Sequence, residues 1–379
     1  MAFLRNDAIN RVNLHTGVQA LAQSGGGVFF LVFLVRYGVP IAFVLLALAG
    51  IMTARLALRP LILPLARRWG MKPLLIAGTI ILAAQYPILP EIHGVGSALA
   101  ALCAVSAVGE IFYYPAYNAY FASLGDAEHR GHQIGAREAL VSIVGIVAPL
   151  LGAWGLVTLG PRAMFACVAA IQLLAVVPLI GAPNVAVKAA APGAFAAARL
   201  GAILQAADGW FDCYFIFVWQ IALFVALGES FAVYGGAMAL AGLVGAVSGL
   251  LLGRHVDAGH GVRAVTIAYG GMAAIVLLRA ASLDWPLLAV AANALGALLG
   301  TLMLPAGTAI YNLAKASPCP MRFHIATEGG WDVGCVCACL IAAALCACGV
   351  SFWATILVAL PPLGLASTLL RRHYAAQLP

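Results

Sequence analysis

Charge is scarce in this chain. Asp, Glu, Lys and Arg make up 9% of its 379 residues, against roughly 25% in a soluble globular domain. So little charge cannot cover a water-facing surface, which excludes a soluble enzyme, a nucleic-acid binder and a disordered chain. The phosphate-loop spacing G-x-x-x-x-G-K-[ST] is missing, and with it a nucleotide-driven motor of that kind. No H-E-x-x-H stands on an apolar run, which argues against an intramembrane metalloprotease of that type. No polar stretch is long enough to form a catalytic domain. The opening MAFLRNDAINR lacks an apolar core running into a small-residue cleavage site, so no removable signal peptide is expected.

Apolar residues dominate instead, at 64% with a mean hydropathy of +1.03. Their runs are long and unbroken rather than alternating, which predicts membrane-spanning helices and not a β-barrel. A crossing needs about 20 apolar residues. Twelve spans are expected, at 13–36, 39–63, 73–90, 95–124, 133–159, 162–185, 208–228, 231–253, 263–282, 285–313, 324–349 and 352–370. The fold class is therefore an all-α membrane protein of twelve transmembrane helices.

The net charge of +7 sits in short loops and sets topology rather than marking a nucleic-acid partner. With the N-terminus inside, Arg5, Arg11, Arg67, Arg68, Lys72, Arg130, Lys188, Arg199, Arg254, Arg263, Lys315, Arg322, Arg371 and Arg372 fall on the cytoplasmic side. Arg36, Arg162 and Arg279 fall outside. Both termini are then cytoplasmic and the protein is a multi-pass resident of the cell (inner) membrane, which an even span count also requires. Nine cysteines are an odd number without secreted-framework spacing, so disulfides are not expected.

An Ala/Pro/Gly-rich stretch near 186–207 divides the chain. It predicts a six-helix half at 1–187, a cytoplasmic linker at 188–207 and a second six-helix half at 208–379. Internal matches agree. Pro115-Ala116 and Pro305-Ala306, and likewise Glu138 and Glu328, lie 190 residues apart, and Gly70-Met71-Lys72 matches Gly261-Val262-Arg263 at 191. Such a repeat is a transporter architecture.

These features resemble the major facilitator superfamily, which has twelve spans in two pseudo-symmetric halves and a G-x-x-x-D-R-x-G-R-R signature in the loops between spans 2–3 and 8–9. The second copy here, GRHVDAGHGVR, keeps Gly253, Asp257 and Arg263, with Ala258 where the family has arginine. The first, LPLARRWGMK, keeps Arg68, Gly70 and Lys72, but has Leu63 and Arg67 where the family has Gly and Asp. The resemblance implies that these residues form a gating latch, in which an acid at a helix end pairs with nearby positive charge and biases one state. Ordinary loop charge is the competing reading. Ala148 to Ala153 in span 5 is similar to the end of a motif common in family antiporters, which tilts the expected direction towards efflux.

An ionisable residue within a span is expensive and faces a cavity, a partner or a path. Glu110 lies mid-span in LCAVSAVGEIFYYPAYNAY. The family fold implies that spans 1, 4, 7 and 10 line a central cavity, which places Glu110, Tyr114, Tyr117 and Asn118 against the substrate. Glu110 reads as a cation partner or proton carrier, or else as a buried structural acid. Asp208 and Asp212 share a helix face, with Asp208 expected at the solvated interface and Asp212 deeper, beside the cavity. His15, Gln19, Gln23 and Ser24 form a stripe on span 1 that suits a cavity lining or interhelical hydrogen bonds. Glu138 reads as a path acid or as compensation for Arg130 or Arg137. Arg55 and Arg59 are expected to reach the inner interface by snorkelling.

Span 11 is the densest constellation. At about 100° per residue, Met321, His324, Glu328, Asp332, Cys335, Cys339 and Cys346 share one face. Such a face could relay protons through His324, Glu328 and Asp332. It could equally pass a soft transition metal along Met321, His324, Cys335 and Cys339, or use the cysteines as small packing residues. Trp331 could stack on an organic cation or anchor an interface.

The expected function is thus a proton-coupled secondary active transporter working by alternating access, a monomer without cofactor, and not an enzyme. Acids outnumber bases in the spans, which suits a cationic or neutral small molecule. The alternatives are a copper-like metal importer using span 11 and, from another class, a non-transporting receptor or membrane enzyme.

Overall fold

The computed structural model describes residues 6–124, 130–252 and 261–376. Among the described residues every regular element is helical, the arrangement that satisfies backbone polar groups without water. Among the described residues eleven helices are long and apolar enough to cross a membrane. The spans are α1 (Asp7–Arg36), α2 (Ile41–Trp69), α3 (Met71–Glu91) and α4 (Ser97–Leu124), then α5 (Arg130–Thr158) and α6 (Pro161–Ile180). After a connecting stretch come α7 (Arg199–Ala226), α8 (Phe231–Leu252) and α9 (Gly261–Ser282). The expected tenth span is broken into helix Pro286–Gly300, a 3₁₀ turn Thr301–Met303 and helix Leu304–Ala316, together α10 (286–316). The last two are α11 (Pro320–Ala347) and α12 (Phe352–Ala375).

Proline and glycine place the starts and breaks. Pro161, Pro286 and Pro320 each open a helix, where a missing N–H leaves no bond unmade. Pro60 coincides with the 3₁₀ turn Arg59–Leu61 in α2, and Gly25-Gly26-Gly27 leads into the 3₁₀ turn Gly27–Phe29 in α1. Pro305 falls in the first turn after the break in α10, because it cannot continue the ladder before it.

The first six spans pack on one another through α3–α4, α1–α5, α2–α4 and α1–α6, and the later ones through α7–α11, α8–α10 and α9–α12. The two groups meet along two seams, α2 against α11 and α5 against α8. The second seam is tight because its residues are small: a Cβ on Gly242 would collide with the Gly145 carbonyl, and one on Gly235 would lie 2.9 Å from Pro149 O. Small residues let membrane helices approach this closely.

Asn6 donates to Leu124 O (3.2 Å), Asn184 to Trp69 O (2.8 Å) and Arg322 to Ala189 O (2.9 Å). The starts of α1 and α11, the α2–α3 turn and the ends of α4 and α6 therefore share one face, the termini face. Arg162–Glu91 (3.0 Å) and Arg36–Glu229 (3.6 Å) pair on the far face. Near the far face, Phe29 of α1 meets Phe231 edge-on at 6.1 Å, Phe33 stacks on it at 6.2 Å, and Tyr234 donates to Val28 O at 3.3 Å. This aromatic plug joins α1 to α8.

Arg279 departs from the expected outside loop position. It is buried in α9, stacked on Phe215 (3.7 Å) and Trp219 (4.6 Å), and donates to Phe215 O at 2.6 Å. That carbonyl lies in the π-helical segment Cys213–Val218 of α7. A π segment is not the regular α-helical ladder, and the guanidinium bonds one of its carbonyls here.

Candidate functional site

A cavity of ≈ 890 Å³ lies between the two groups of spans, with walls from α1, α2, α3, α4, α5, α7, α8, α10 and α11. Among the described residues its charged lining is one arginine, Arg55, and three carboxylates, Glu110, Asp208 and Glu328, with Gln23, Gln85, Gln205 and Gln220 among the neutral polar groups. Apolar walls carrying a few convergent polar groups are the usual make-up of a small-molecule site.

Arg55 is the hub. Its Nη1 lies 2.6 Å from Glu110 Oε2 on α4, and its Nη2 lies 2.9 Å from Asp332 Oδ1 and 3.6 Å from Glu328 Oε2 on α11. One helical turn on, Arg59 pairs with the other oxygen of Asp332 and donates to Ile325 O at 3.4 Å. Tyr114 and Trp331 rings each stand 5.5 Å from the Arg55 guanidinium carbon, close enough for cation–π attraction. Asp332 is fully buried and Arg55 nearly so. A planar guanidinium can serve several carboxylates at once through its fixed fork of donors.

The snorkelling expected of Arg55 and Arg59 is thus replaced by pairing. Three acids from two neighbouring helices supply counter-charge at depth, which removes the reason for the guanidinium to travel to water. Gly329 assists, since a Cβ there would lie 3.4 Å from Arg59 Cδ, so Arg59 packs directly on α11.

The family-implied cavity set divides. Glu110 and Tyr114 line the central cavity. Asn118 donates to Glu328 Oε1 at 2.9 Å and lines a second, ≈ 310 Å³ cavity. Tyr117 lines neither cavity; its hydroxyl meets Thr16 (3.0 Å) and Arg137 (3.4 Å) and its ring stacks on Tyr113. Asp212 likewise stands behind the wall, accepting from Trp331 Nε1 at 3.2 Å, while Trp331 itself lines the cavity.

His15 and Gln19 do not face the cavity. His15 is fully buried between Ala175 O (2.7 Å) and the Tyr113 hydroxyl (3.1 Å), and Gln19 accepts from Gln172. Both ring nitrogens of His15 are used in helix packing, the second of the two roles open to that stripe. Gln23 and Ser24, further along α1, do reach the cavity.

Glu138 belongs to α5, but its side chain lies outside the described residues, as do Gly253 and Asp257 of the latch motif. Arg263 and Arg68 are exposed. Gly70 takes φ +84° at the α2–α3 turn, a conformation that glycine reaches without strain. Lys72 there donates to Ile180 O (3.2 Å) and Ala182 O (2.8 Å). The residue that grips this turn is Asn184, which donates to Trp69 O and accepts from the Lys72 backbone N–H at 3.3 Å.

Met321 packs in the core at the start of α11, and His324 borders the second cavity. Cys339 lies 3.8 Å from Cys335 and 3.4 Å from Cys213 of α7. Among the described residues no three His, Cys, Asp or Glu side chains gather as a metal site.

Four residues were not anticipated in these roles: Arg55, Arg59, Gln205 and Asp208. Asp208 was expected in the solvated interface, yet it borders both cavities and pairs with no cation among the described residues. Its placement one turn before Asp212 on a face already known to be acidic was the available signal.

An apolar-walled cavity held between two sets of membrane helices, with its few charges concentrated at their seam, is the arrangement of a helical membrane carrier. The sequence profile of the Major Facilitator Superfamily matches residues 16–317, and the chain belongs to that family. It is a membrane transporter rather than an enzyme. No curated protein matches it. Among solved structures it is similar to the human organic anion transporter MFSD10, at 14% identity and a TM-score of 0.71 over 96% of this chain and 99% of that one. It is similar also to a bacterial homologue of the iron transporter ferroportin in an outward-facing state (13%, 0.68, 97% and 99%). A third likeness is to an auto-inhibited peptide transporter of the POT family (13%, 0.64, 98% and 97%). At these identities the likeness is one of fold.

Proposed function

We propose that the chain is a secondary active transporter that exports a small cationic or neutral molecule across the inner or plasma membrane by alternating access, coupled to protons. The observation that carries this reading is the sharing of Arg55 between an acid of the first six spans, Glu110, and two acids of the later spans, Glu328 and Asp332. Protonating Glu328 or Asp332 removes charge that holds Arg55 across the α2–α11 seam. Glu110 then keeps the guanidinium, and the seam is free to open. A buried charge left without its partner costs several kcal/mol, so proton loading and seam opening are energetically linked. Among the described residues, one arginine against three carboxylates in the cavity lining favours a cation or a neutral molecule over an anion.

The reading takes 1–187 and 208–379 as the two rocking halves, 188–207 as the linker, and the broken α10 as the twelfth crossing. Both termini lie in the cytoplasm, because the basic loops share the termini face. The export direction rests on the antiporter-like segment at Ala148 to Ala153.

Proteoliposomes with an imposed pH gradient test it, using ethidium and tetraphenylphosphonium as probes. Gradient-driven flux of either probe, abolished by a protonophore and by Glu328→Gln, supports the reading. Flux indifferent to the gradient contradicts it.

A further inference from the structure

The second cavity, ≈ 310 Å³, lies inside the later spans, bounded by α7, α9, α10 and α11 with Asn118 of α4 at its edge. It shares Gln205, Asp208 and Glu328 with the central cavity. These three side chains form a wall common to both spaces. Residues 204–208 open α7, His324 opens α11 and Ile310 approaches the end of α10, so the second cavity lies on the termini-face side of the first.

Its chemistry is that of a binding site. Leu204, Met303, Ala306 and Ile310 give it an apolar wall. Glu328 is already engaged by Arg55 and Asn118, whereas Asp208 has no cationic partner among the described residues. His324 is 5% exposed, lines this cavity, and its Nε2 has no hydrogen-bond partner. A buried imidazole nitrogen left unpaired costs free energy, and a ligand bearing one hydrogen-bonding group would relieve that cost. Among the described residues the other titratable group facing the space is Tyr269 of α9. A cavity near 300 Å³ is at the lower end of the range for small-molecule pockets.

We infer that this cavity is a second subsite for a small organic ammonium ion, which passes between it and the central cavity by way of Asp208. The cation's charge rests on Asp208, its alkyl part on Met303 and Ile310, and a polar substituent on His324. This inference rests on the cation-transport reading and adds to it a waiting position between the central cavity and the termini face. Because Asp208 borders both spaces, a cation need not leave one carboxylate before meeting the next.

Equilibrium dialysis of the full-length protein in detergent with radiolabelled n-butylammonium is the test. The expected stoichiometry is two per wild-type chain. Ala306→Phe fills the second cavity without touching the central one and is expected to bind one. Gly307→Leu, where a Cβ would meet no atom within 4 Å, provides an independent filling variant with the same expectation. A filled variant that still binds one cation is thereby shown to be folded. A wild-type stoichiometry of one, or two in both filled variants, overturns the second subsite while leaving the cation reading intact. No binding by the wild type overturns that reading as well.

Discussion

Arg55 of α2 and Asp332 of α11 face each other at 2.9 Å across the seam between the first six spans and the later ones. The contact is buried, Asp332 entirely so, and Arg59 holds the second carboxylate oxygen. A carboxylate gripped by two guanidiniums at membrane depth ties the seam together while both charges are present. The same burial makes any single change of charge expensive.

Asp332→Asn leaves two arginines short of a partner and is expected to destabilise the purified protein by about 3–5 kcal/mol. Adding Arg59→Met to Asp332→Asn removes one stranded charge and should restore at least half of that loss, since Arg55 retains Glu110 and Glu328. Thermal unfolding of the two variants beside wild type measures this. A double variant less stable than Asp332→Asn would show that Arg59 is not held by Asp332.

Asn184 clamps the α2–α3 turn through Trp69 O and the Lys72 backbone N–H. Asn184→Ala deletes both bonds and is expected to cost about 1–2 kcal/mol, whereas Arg68→Ala, at an exposed position, should stay within about 0.5 kcal/mol of wild type. Hydrogen exchange at Gly70 to Lys72 should rise in the first variant alone. Equal effects of the two substitutions would contradict the clamp.

The aromatic plug predicts a specific leak. Phe231→Ala removes the ring that Phe29, Phe33 and Phe224 pack against; Phe231 is itself only partly buried, so the cost is expected to fall below the about 3–5 kcal/mol of a fully buried aromatic. A cysteine placed at Gln23 should then react faster with a membrane-impermeant maleimide added from the far face. Unchanged labelling would mean that the plug does not close the cavity on that side.

Arg279→Lys keeps the charge but loses the planar stacking on Phe215 and Trp219, which a lysine does not replace. Gly296→Ala should mimic it, because a Cβ there would collide with the Arg279 guanidinium. Both are expected to lower thermal stability, and a neutral Gly296→Ala would contradict the tight fit.

Much of the architecture was legible from composition, since lipid leaves the backbone so few choices. The acids were legible too: Glu110 and Glu328 stood out as charges in apolar runs, and both line the cavity. Arg55 and Arg59 were misread because a long basic side chain has two outlets, water or an acid, and only the packing of α2 on α11 decides between them. His15 was left between two roles for a related reason. A polar stripe on one helix is compatible with a cavity or with a partner helix, and α6 supplies Ala175 O as the partner. Asp208 lay at the edge of its apolar run, where one turn of helix separates interface from cavity. The π segment in α7 left no mark on periodicity.

In the proposed transport cycle the two groups of spans rock about the cavity, opening one face as the other closes. Spin labels at Arg68 and Lys315 report on the termini face, and labels at Val95 and Trp285 on the far face, all at exposed positions. Pulsed dipolar distances in lipid nanodiscs, compared at high and low pH, should change reciprocally, one pair lengthening as the other shortens, and the change should disappear in Glu328→Gln/Asp332→Asn. Distances that hold constant in both pairs, or that lengthen together, would contradict alternating access through this seam.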